Sequence, residues 1–175
     1  MFCAFQQMDT IIKMAERHGF KHYRPIVLVK NYSGDVLKAN MTLAHATEFA
    51  LLLYRDKLPK FRNGSGDGEK MIFDWIEYRR DGKEVPQIHK TQKPQSVLKR
   101  LIETFTDEGD VVIDPCAGSF STGRACKELG RNFYGFEISK KMCELAKTTV
   151  LNVNYATEKE QIPGQMNIME LLNNG

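Results

Sequence analysis

The chain has 175 residues, of which 42% are hydrophobic, and this size and composition suit one domain with one buried core. The formal net charge of +3 is compatible with an anionic partner without requiring one. No apolar run reaches the length that spans a membrane, and no secretory leader is visible, so we expect a cytoplasmic protein. The four cysteines have neither CxxC pairing nor zinc-like spacing to histidine, so we expect reduced thiols and no metal site.

The N-terminal part of the sequence predicts a helix among three strands. Residues 1–5 are an apolar run that we interpret as a strand. Apolar residues between positions 8 and 15 recur at helical spacing and predict a helix that ends at Gly19. Residues 23–30 and 47–54 predict two strands that pair antiparallel, although the alanine and leucines of the second would also suit a helix.

Residues 55–86 are the least regular part of the sequence, and within them residues 71–75 predict a short strand. One interpretation is a solvated surface loop, which segments of mixed charge usually form. The other is a contact with nucleic acid, in which Phe61, Trp75 and Tyr78 are available to stack on bases. Taken alone, the segment favours the surface loop because its net charge is close to zero.

A strand, a tight turn, a helix and a second strand follow one another in the stretch VVIDPCAGSFSTGRACKELGRNFYGFEIS. The first strand, residues 111–113, ends in Asp114, and the second, residues 132–136, ends in Glu137. Gly130 is placed to stop the helix between them. This order, with an acid about 20 residues beyond the turn, is typical of half of a nucleotide-binding α/β sheet.

Further helices are predicted on both sides of this stretch. The HKTQKP segment, residues 89–94, places Pro94 at the first position of a helix that stops near Gly109. Ser139 can cap a helix that continues to position 150. The tail beyond it is polar, with one further turn predicted at residues 167–172.

Three ligands compete for the turn that follows Asp114. A nucleoside triphosphate would suit the spacing of residues 118–123, but Arg124 and Ala125 stand where a phosphate loop has lysine and a hydroxyl residue. A dinucleotide would need G-x-G-x-x-G and would bring its pyrophosphate against the like charge of Asp114. S-adenosylmethionine carries positive ammonium and sulfonium groups that suit Asp114, and ribose hydroxyls that suit Glu137. A fourth alternative is that both acids only cap helix starts.

Three parts of the sequence carry a resemblance to a known family: HKTQKP, the helix behind it, and GDVVIDPCAGSFSTGRACKELGRNFYGFEIS. Across residues 89–146, the sequence resembles the amino-group DNA methyltransferases of the β permutation. The resemblance implies S-adenosylmethionine as cofactor and double-stranded DNA as substrate, methylated at adenine N6 or, in second place, at cytosine N4. It implies one Rossmann-like α/β domain over residues 1–175, with a mixed seven-stranded sheet and a reversed hairpin at one edge. A restriction–modification system is one setting for such an enzyme.

The resemblance also implies which residues bind the cofactor and the DNA. The cofactor-binding residues would be His89, Gln92, Lys93, Pro94, Asp114, Pro115, Cys116, Ala117, Gly118, Ser119 and Glu137. Residues 55–86 would be a short target-recognition insertion. Its DNA-binding residues would be Lys57, Lys60, Arg62, Arg79 and Arg80.

The sequence departs from the family pattern at two places. Phe120 and Ser121 stand where the family has Gly-Thr, and Cys116 replaces a phenylalanine, so we expect Phe120 to crowd the cofactor or to force a different backbone angle. The family's catalytic signature, Asp, Asn or Ser followed by Pro-Pro and an aromatic residue, is absent, because the sequence contains no Pro-Pro pair. In the family this signature ends a central strand beside the one that carries Asp114.

The missing signature leaves two hypotheses. In the first, the chain is a fragment or one half of a split DNA methyltransferase, and an upstream polypeptide or a second copy supplies the missing strand. No catalytic residue is then assigned in this chain; Asp9 and Glu48 are the nearest free carboxylates along it, and neither has the Pro-Pro-aromatic context. In the second, the chain is a non-catalytic module that binds DNA or protein on a degenerate methyltransferase scaffold.

Overall fold

The computed structural model describes residues 1–32, 45–62, 71–89 and 91–150, so the turn predicted at residues 167–172 lies outside the described residues. The described residues form both helices and strands. The elements are β1 (Phe2–Cys3), α1 (Met8–Arg17), β2 (His22–Lys30), β3 (Thr47–Tyr54), β4 (Trp75–Tyr78), α2 (Gln95–Phe105), β5 (Val111–Asp114), α3 (Ser121–Glu128), β6 (Asn132–Gly135) and α4 (Lys140–Thr149). Within these ranges, no helix is long and apolar enough to cross a lipid bilayer.

The first sheet has the strand order β1-β3-β2-β4. Strands β2 and β3 pair antiparallel, from His22 opposite Tyr54 to Val29 opposite Thr47, which confirms the predicted hairpin. The middle of β3 is buried at Ala50 and Leu51, as a strand flanked on both sides requires. Strand β3 also pairs antiparallel with β1, so it runs opposite to both of its neighbours in this sheet.

The strand predicted at residues 71–75 is wrong in its position, because the structure has β4 at Trp75–Tyr78 instead. Strand β4 pairs parallel with β2 and buries Tyr78 in the core, whereas Met71 and Phe73 remain exposed. Since β4 lies outside β2, the reversed hairpin sits one strand in from the edge of this sheet.

The second sheet consists of β5 and β6, which pair parallel from Val111 opposite Asn132 to Asp114 opposite Gly135. The turn and α3 connect the two strands in the predicted order. Cys126 of α3 is fully buried, and burial raises the pKa of its thiol to about 11. This thiol is therefore a core side chain with little thiolate character at neutral pH.

Helix α2 lies between the two sheets and contributes to one buried cluster on each side. The cluster shared with α3 consists of Leu98, Ile102, Ala125 and Cys126. The cluster shared with β2 and β4 consists of Leu28, Tyr78 and Val97. Phe2 of β1 packs against both clusters, so this side chain and α2 together join the two sheets.

One face of the second sheet is open in the described part of the chain. Val111 and Ile113 of β5 are 54% and 64% exposed, and Tyr134 of β6 is 44% exposed. Strands β1 and β5 each stand at the end of their sheet, so each has one edge without a paired strand among the described residues. Exposed apolar side chains beside an unpaired edge are the features that a further strand or helix would cover.

A substitution at Gly135, at the end of β6, tests the packing of the aromatic rings beneath the turn. A Cβ atom added there would lie 2.5 Å from the Phe133 ring and 3.0 Å from the Phe120 ring. We expect Gly135→Ala to lower the free energy of unfolding by about 1–3 kcal/mol, measured by urea denaturation, because the rings must shift. In Phe133→Leu protein the same substitution should cost less; equal stability of Gly135→Ala and the wild type would contradict this packing.

Candidate functional site

Asp114 ends β5 and Glu137 follows β6, so both acids lie at the carboxyl edge of the second sheet. Parallel pairing sets Asp114 opposite Gly135, two positions before Glu137. The connection is tightened by a hydrogen bond from the Phe136 amide to the Asp114 carbonyl, at 2.9 Å. The Ala117 amide of the turn donates to the Phe136 carbonyl at 2.8 Å. Ligands of α/β sheets bind at this edge, so both acids are where the sequence predicts a ligand site.

The Asp114 carboxylate organises the turn. One oxygen accepts a hydrogen bond from the Cys116 amide at 3.1 Å, and the other accepts from the Thr122 hydroxyl at 2.8 Å. The acid therefore ties the start of the turn to the first turn of α3. A carboxylate offers about four acceptor positions, so Asp114 retains capacity for a further donor.

Glu137 holds two backbone amides at once. Oε2 accepts from the Gly118 amide at 3.0 Å, and Oε1 accepts from the Ser139 amide at 2.9 Å. Gly118 has a φ of +51°, in the left-handed region that favours glycine, and only open space surrounds its missing Cβ apart from one carbonyl at 4.0 Å. The glycine thus lets a ligand approach the backbone at the point where Glu137 fixes it.

The structure shows how the turn accommodates Phe120, which is one of the two departures from the family pattern. Its φ of 57° and ψ of 26° place it in the left-handed conformation that glycine adopts readily and that costs other residues roughly 1–2 kcal/mol. The ring is only 8% exposed and packs against Ala117, Ala146 and Phe133. The structure thus buries this side chain in the interior, whereas we expected it to crowd the cofactor or to force a different backbone angle.

The HKTQKP segment is shaped by its own hydrogen bonds. The Gln92 side chain accepts from the Ile88 amide at 3.3 Å and donates to the Pro86 carbonyl at 3.0 Å. His89 Nδ1 accepts from the Thr91 amide at 3.2 Å. These bonds close a compact loop immediately before α2, whose first residue follows Pro94.

Lys93 connects this segment to the first sheet through Glu48. The Lys93 ammonium donates to Glu48 Oε2 at 2.7 Å, and the Lys30 ammonium donates to Glu48 Oε1 at 3.3 Å. Glu48 is therefore not the free carboxylate that its position along the chain suggested. Asp9, the other carboxylate considered, pairs with Lys13 at 2.8 Å on the exposed face of α1.

A cavity of about 710 Å³ opens beside Glu48 at the carboxyl ends of β2 and β4. Its polar lining includes Lys30, Tyr32, Arg80, His89, Gln92 and Lys93. This volume is in the range of sites for nucleotide-sized ligands. Of the predicted cofactor residues, the cavity thus brings together His89, Gln92, Lys93 and Pro94, whereas Asp114 to Ser119 and Glu137 form the separate turn described above.

Gln95 links the two groups of predicted cofactor residues, and sequence reasoning missed it. Its side chain is buried and donates to the Ser121 carbonyl at 3.0 Å, which joins the start of α2 to the start of α3. Its amide donates to the Asp81 carboxylate at 3.0 Å. Burial raises the pKa of Asp81, and this helix-capping bond acts in the opposite direction. A polar residue directly after Pro94, in the first turn of the predicted helix, was the available signal.

The predicted DNA-binding residues fall into two groups at opposite ends of the parallel strands. Arg79 and Arg80 follow β4 at its carboxyl end, on the side of the cavity, and the Arg80 guanidinium lies 4.2 Å from the centre of the Tyr32 ring. Lys57, Lys60 and Arg62 follow β3, whose last residue pairs with the first residue of β2 at the amino end. Arg62 is bound there by Asp107, with Nε 2.6 Å from Oδ1.

The aromatic residues of the same region differ in exposure. Tyr78 is only 4% exposed, and burial, together with the charge of Glu48, raises the pKa of its hydroxyl, so its expected role in stacking on bases is wrong. The register of β4 explains this, because Tyr78 points into the core. Phe61 and Trp75 remain partly exposed at the amino end, where they pack against Phe105 and Phe73 respectively.

Comparison with known proteins identifies curated relatives that are longer than this chain. The chain is 33% identical over 144 residues to the DNA adenine methyltransferase YhdJ of Escherichia coli (strain K12), covering 78% of this chain and 47% of that protein. It is 30% identical over 147 residues to the type II methyltransferase M2.DpnII of Streptococcus pneumoniae, covering 75% and 52%. The chain thus spans about half the length of these curated relatives.

Solved structures agree with the fold and with the family. The M1.HpyAVI–SAM complex matches with a TM-score of 0.69 and 30% identity, over 87% of this chain and 72% of that chain. The cytosine-N4-specific PvuII DNA methyltransferase matches in fold alone, with a TM-score of 0.66 at 13% identity, over 90% of this chain and 59% of that chain. The expected α/β methyltransferase fold is confirmed. Residues 1–148 match the family model N6_N4_Mtase, described as DNA methylase, and the chain therefore belongs to this family.

Proposed function

We propose that this chain is the cofactor-binding part of a site-specific DNA methyltransferase that acts in the cytoplasm. The methyl donor is S-adenosylmethionine, and the acceptor is the exocyclic amine of adenine or, in second place, of cytosine. The observation that carries this proposal is the pair of carboxylates, Asp114 and Glu137, at the carboxyl ends of two parallel strands. The M1.HpyAVI–SAM complex supports it, since that protein binds this cofactor on a similar fold.

The turn fits S-adenosylmethionine by charge and by space. Asp114 is an anion beside the open backbone of Gly118, where the positively charged methionine part of the cofactor would be stabilised. Glu137 retains acceptor positions for the two ribose hydroxyls. The lining of Pro115, Cys116, Ala117 and Ser119 is small, and Cys116 is exposed. When bound, the cofactor supplies an activated methyl group on a sulfonium; the chain's residues orient it and exclude other ligands by charge.

The base-holding group must come from elsewhere. An exocyclic amine on an aromatic base is a poor nucleophile, because its lone pair is delocalised into the ring. Acceptors aimed at its hydrogens, and a ring stacked on the base, are needed to align it with the methyl group. The sequence lacks the Pro-Pro-aromatic signature that provides them.

We place the missing strand between β1 and β5, supplied by an upstream polypeptide or a second copy of the chain. Both strands have an unpaired edge among the described residues, and Val111 and Ile113 expose apolar side chains beside one of them. An added strand would satisfy the backbone groups of both edges and would end beside Asp114. The two sheets would then become one continuous sheet.

DNA is the proposed partner, and Arg79 and Arg80 are its best-placed contacts. They lie at the carboxyl end, where a flipped base must meet the cofactor, whereas Lys57, Lys60 and Arg62 would contact the duplex farther from the reaction. Residues 55–86 would be the target-recognition insertion, although β4 within them belongs to the sheet. A non-catalytic binding module is the second candidate, favoured by the capping bonds that both acids already make.

Isothermal titration tests the cofactor site. We expect Glu137→Gln to weaken S-adenosylmethionine binding by about 1–3 kcal/mol, because the ribose hydroxyls lose a charged acceptor. Glu144→Gln on α4 is the matched control and should bind normally. Equal affinity of Glu137→Gln and the wild type would refute the ribose assignment, and no binding by the wild type would favour the non-catalytic module.

The salt dependence of duplex binding tests the DNA surface. Arg79→Ala and Arg80→Ala should each reduce the slope of log affinity against log salt by about 1, because one phosphate contact and its counterions are lost. Lys57→Ala and Lys60→Ala report on the amino end in the same assay. If the slope of log affinity against log salt changes only in the two lysine variants, the DNA-binding surface lies at the amino end of the strands.

The purified chain alone should transfer no methyl group to genomic DNA from labelled cofactor. Cofactor and base would be bound without alignment, which costs several orders of magnitude in rate. Adding the missing strand with its signature should restore transfer. Turnover by the chain alone would show that another residue holds the base, and Asp9 and Glu48 would be the first to substitute.

A further inference from the structure

We propose that Glu48 is a positioning residue that fixes the HKTQKP segment against the β2–β3 hairpin through Lys93. This inference rests on the proposed function to the extent that the segment binds the cofactor. Glu48 is the second residue of β3, and its sequence neighbourhood carries no recognisable motif. Its role follows from contacts made across the fold.

The Glu48 carboxylate is the centre of a partly buried cluster of charged and polar groups. Lys93 and Lys30 bind its two oxygens, and the Glu48 charge adds to burial in raising the pKa of the Tyr78 hydroxyl. The side chains of Glu48 and Lys93 are 33% and 34% exposed, and that of Lys30 is 17% exposed. Solvent screens such a cluster less than it screens a surface pair, so the position of each charge matters more.

The ion pair with Glu48 attaches the segment to the first sheet, and Ile88, directly before the segment, packs against Ala117, Phe120 and Ala146. The hydrogen bonds of Gln92 and of His89 stay within residues 86–92, so they give the loop its shape without attaching it to the sheet. Lys93 reaches β3, and its ammonium also lies 5.1 Å from the centre of the Phe2 ring of β1. One lysine thus joins the segment to two strands of the first sheet.

Removing the carboxylate would turn this attachment into a repulsion. Burial alone raises the pKa of Glu48, but the hydrogen bonds and charges of Lys93 and Lys30 outweigh burial and hold the pKa below its usual value. Glu48 is therefore ionised at neutral pH, and its single negative charge offsets one of the two positive charges that share it. Without it, Lys93 would move, because it lies on an irregular segment whereas Lys30 is held in a paired strand.

The test combines amide hydrogen exchange with titration of S-adenosylmethionine. Glu48→Gln and Lys93→Met should each raise exchange at Thr91 and Gln92 and weaken cofactor binding about tenfold. The double variant should bind S-adenosylmethionine as tightly as the single variant that has the lower affinity, because Glu48 acts through Lys93. Lys30→Met should lower the melting temperature, and exchange at Thr91 and Gln92 should rise less than in Lys93→Met, because Lys30 lies on β2 and not on the segment. Asp9→Asn, which removes the exposed pair with Lys13, should change none of these.

Two results would overturn the inference. One is unchanged exchange at Thr91 and Gln92 in Glu48→Gln, which needs no bound cofactor to be observed. The other is a double variant whose loss of affinity equals the product of the two single losses, because Glu48 and Lys93 would then act independently. If exchange rises as expected but the wild type binds no cofactor, the positioning role stands and the proposed function fails.

Discussion

Side-chain packing around α2 and Phe2 holds the two sheets together, because no backbone pairing joins them in the described part of the chain. This constraint determines where both candidate ligand regions lie. The start of α2 stands between the turn after Asp114 and the cavity beside Glu48, and Gln95 ties it to α3. Any movement of α2 would therefore change the distance between the two regions that one cofactor would have to span.

Each acid of the turn has two possible tasks, and geometry allows both. Asp114 and Glu137 use their oxygens to hold amides and a hydroxyl of their own loops, as helix-capping acids do. Each carboxylate retains acceptor positions beyond these bonds. Capping and ligand binding are thus compatible roles of these two residues.

Local patterns predicted the second sheet well and the first sheet less well. The succession from β5 to β6 follows from short apolar runs, small residues and Gly130, all of which act within a few positions. The position of β4 depends on pairing with β2, more than 40 positions away, so the exposed 71–75 run misled the prediction. The attachment of Lys93 to Glu48 joins residues 45 positions apart and leaves no local periodicity to detect.

Phe120 shows how the turn can be stiff although it is built of small residues. A glycine in the left-handed region can leave it freely, whereas Phe120 can leave only by withdrawing its ring from Ala117, Ala146 and Phe133. The packing of the ring therefore keeps the backbone of the turn in this conformation. A ligand that binds there meets a surface that is already ordered, and less conformational entropy is lost on binding.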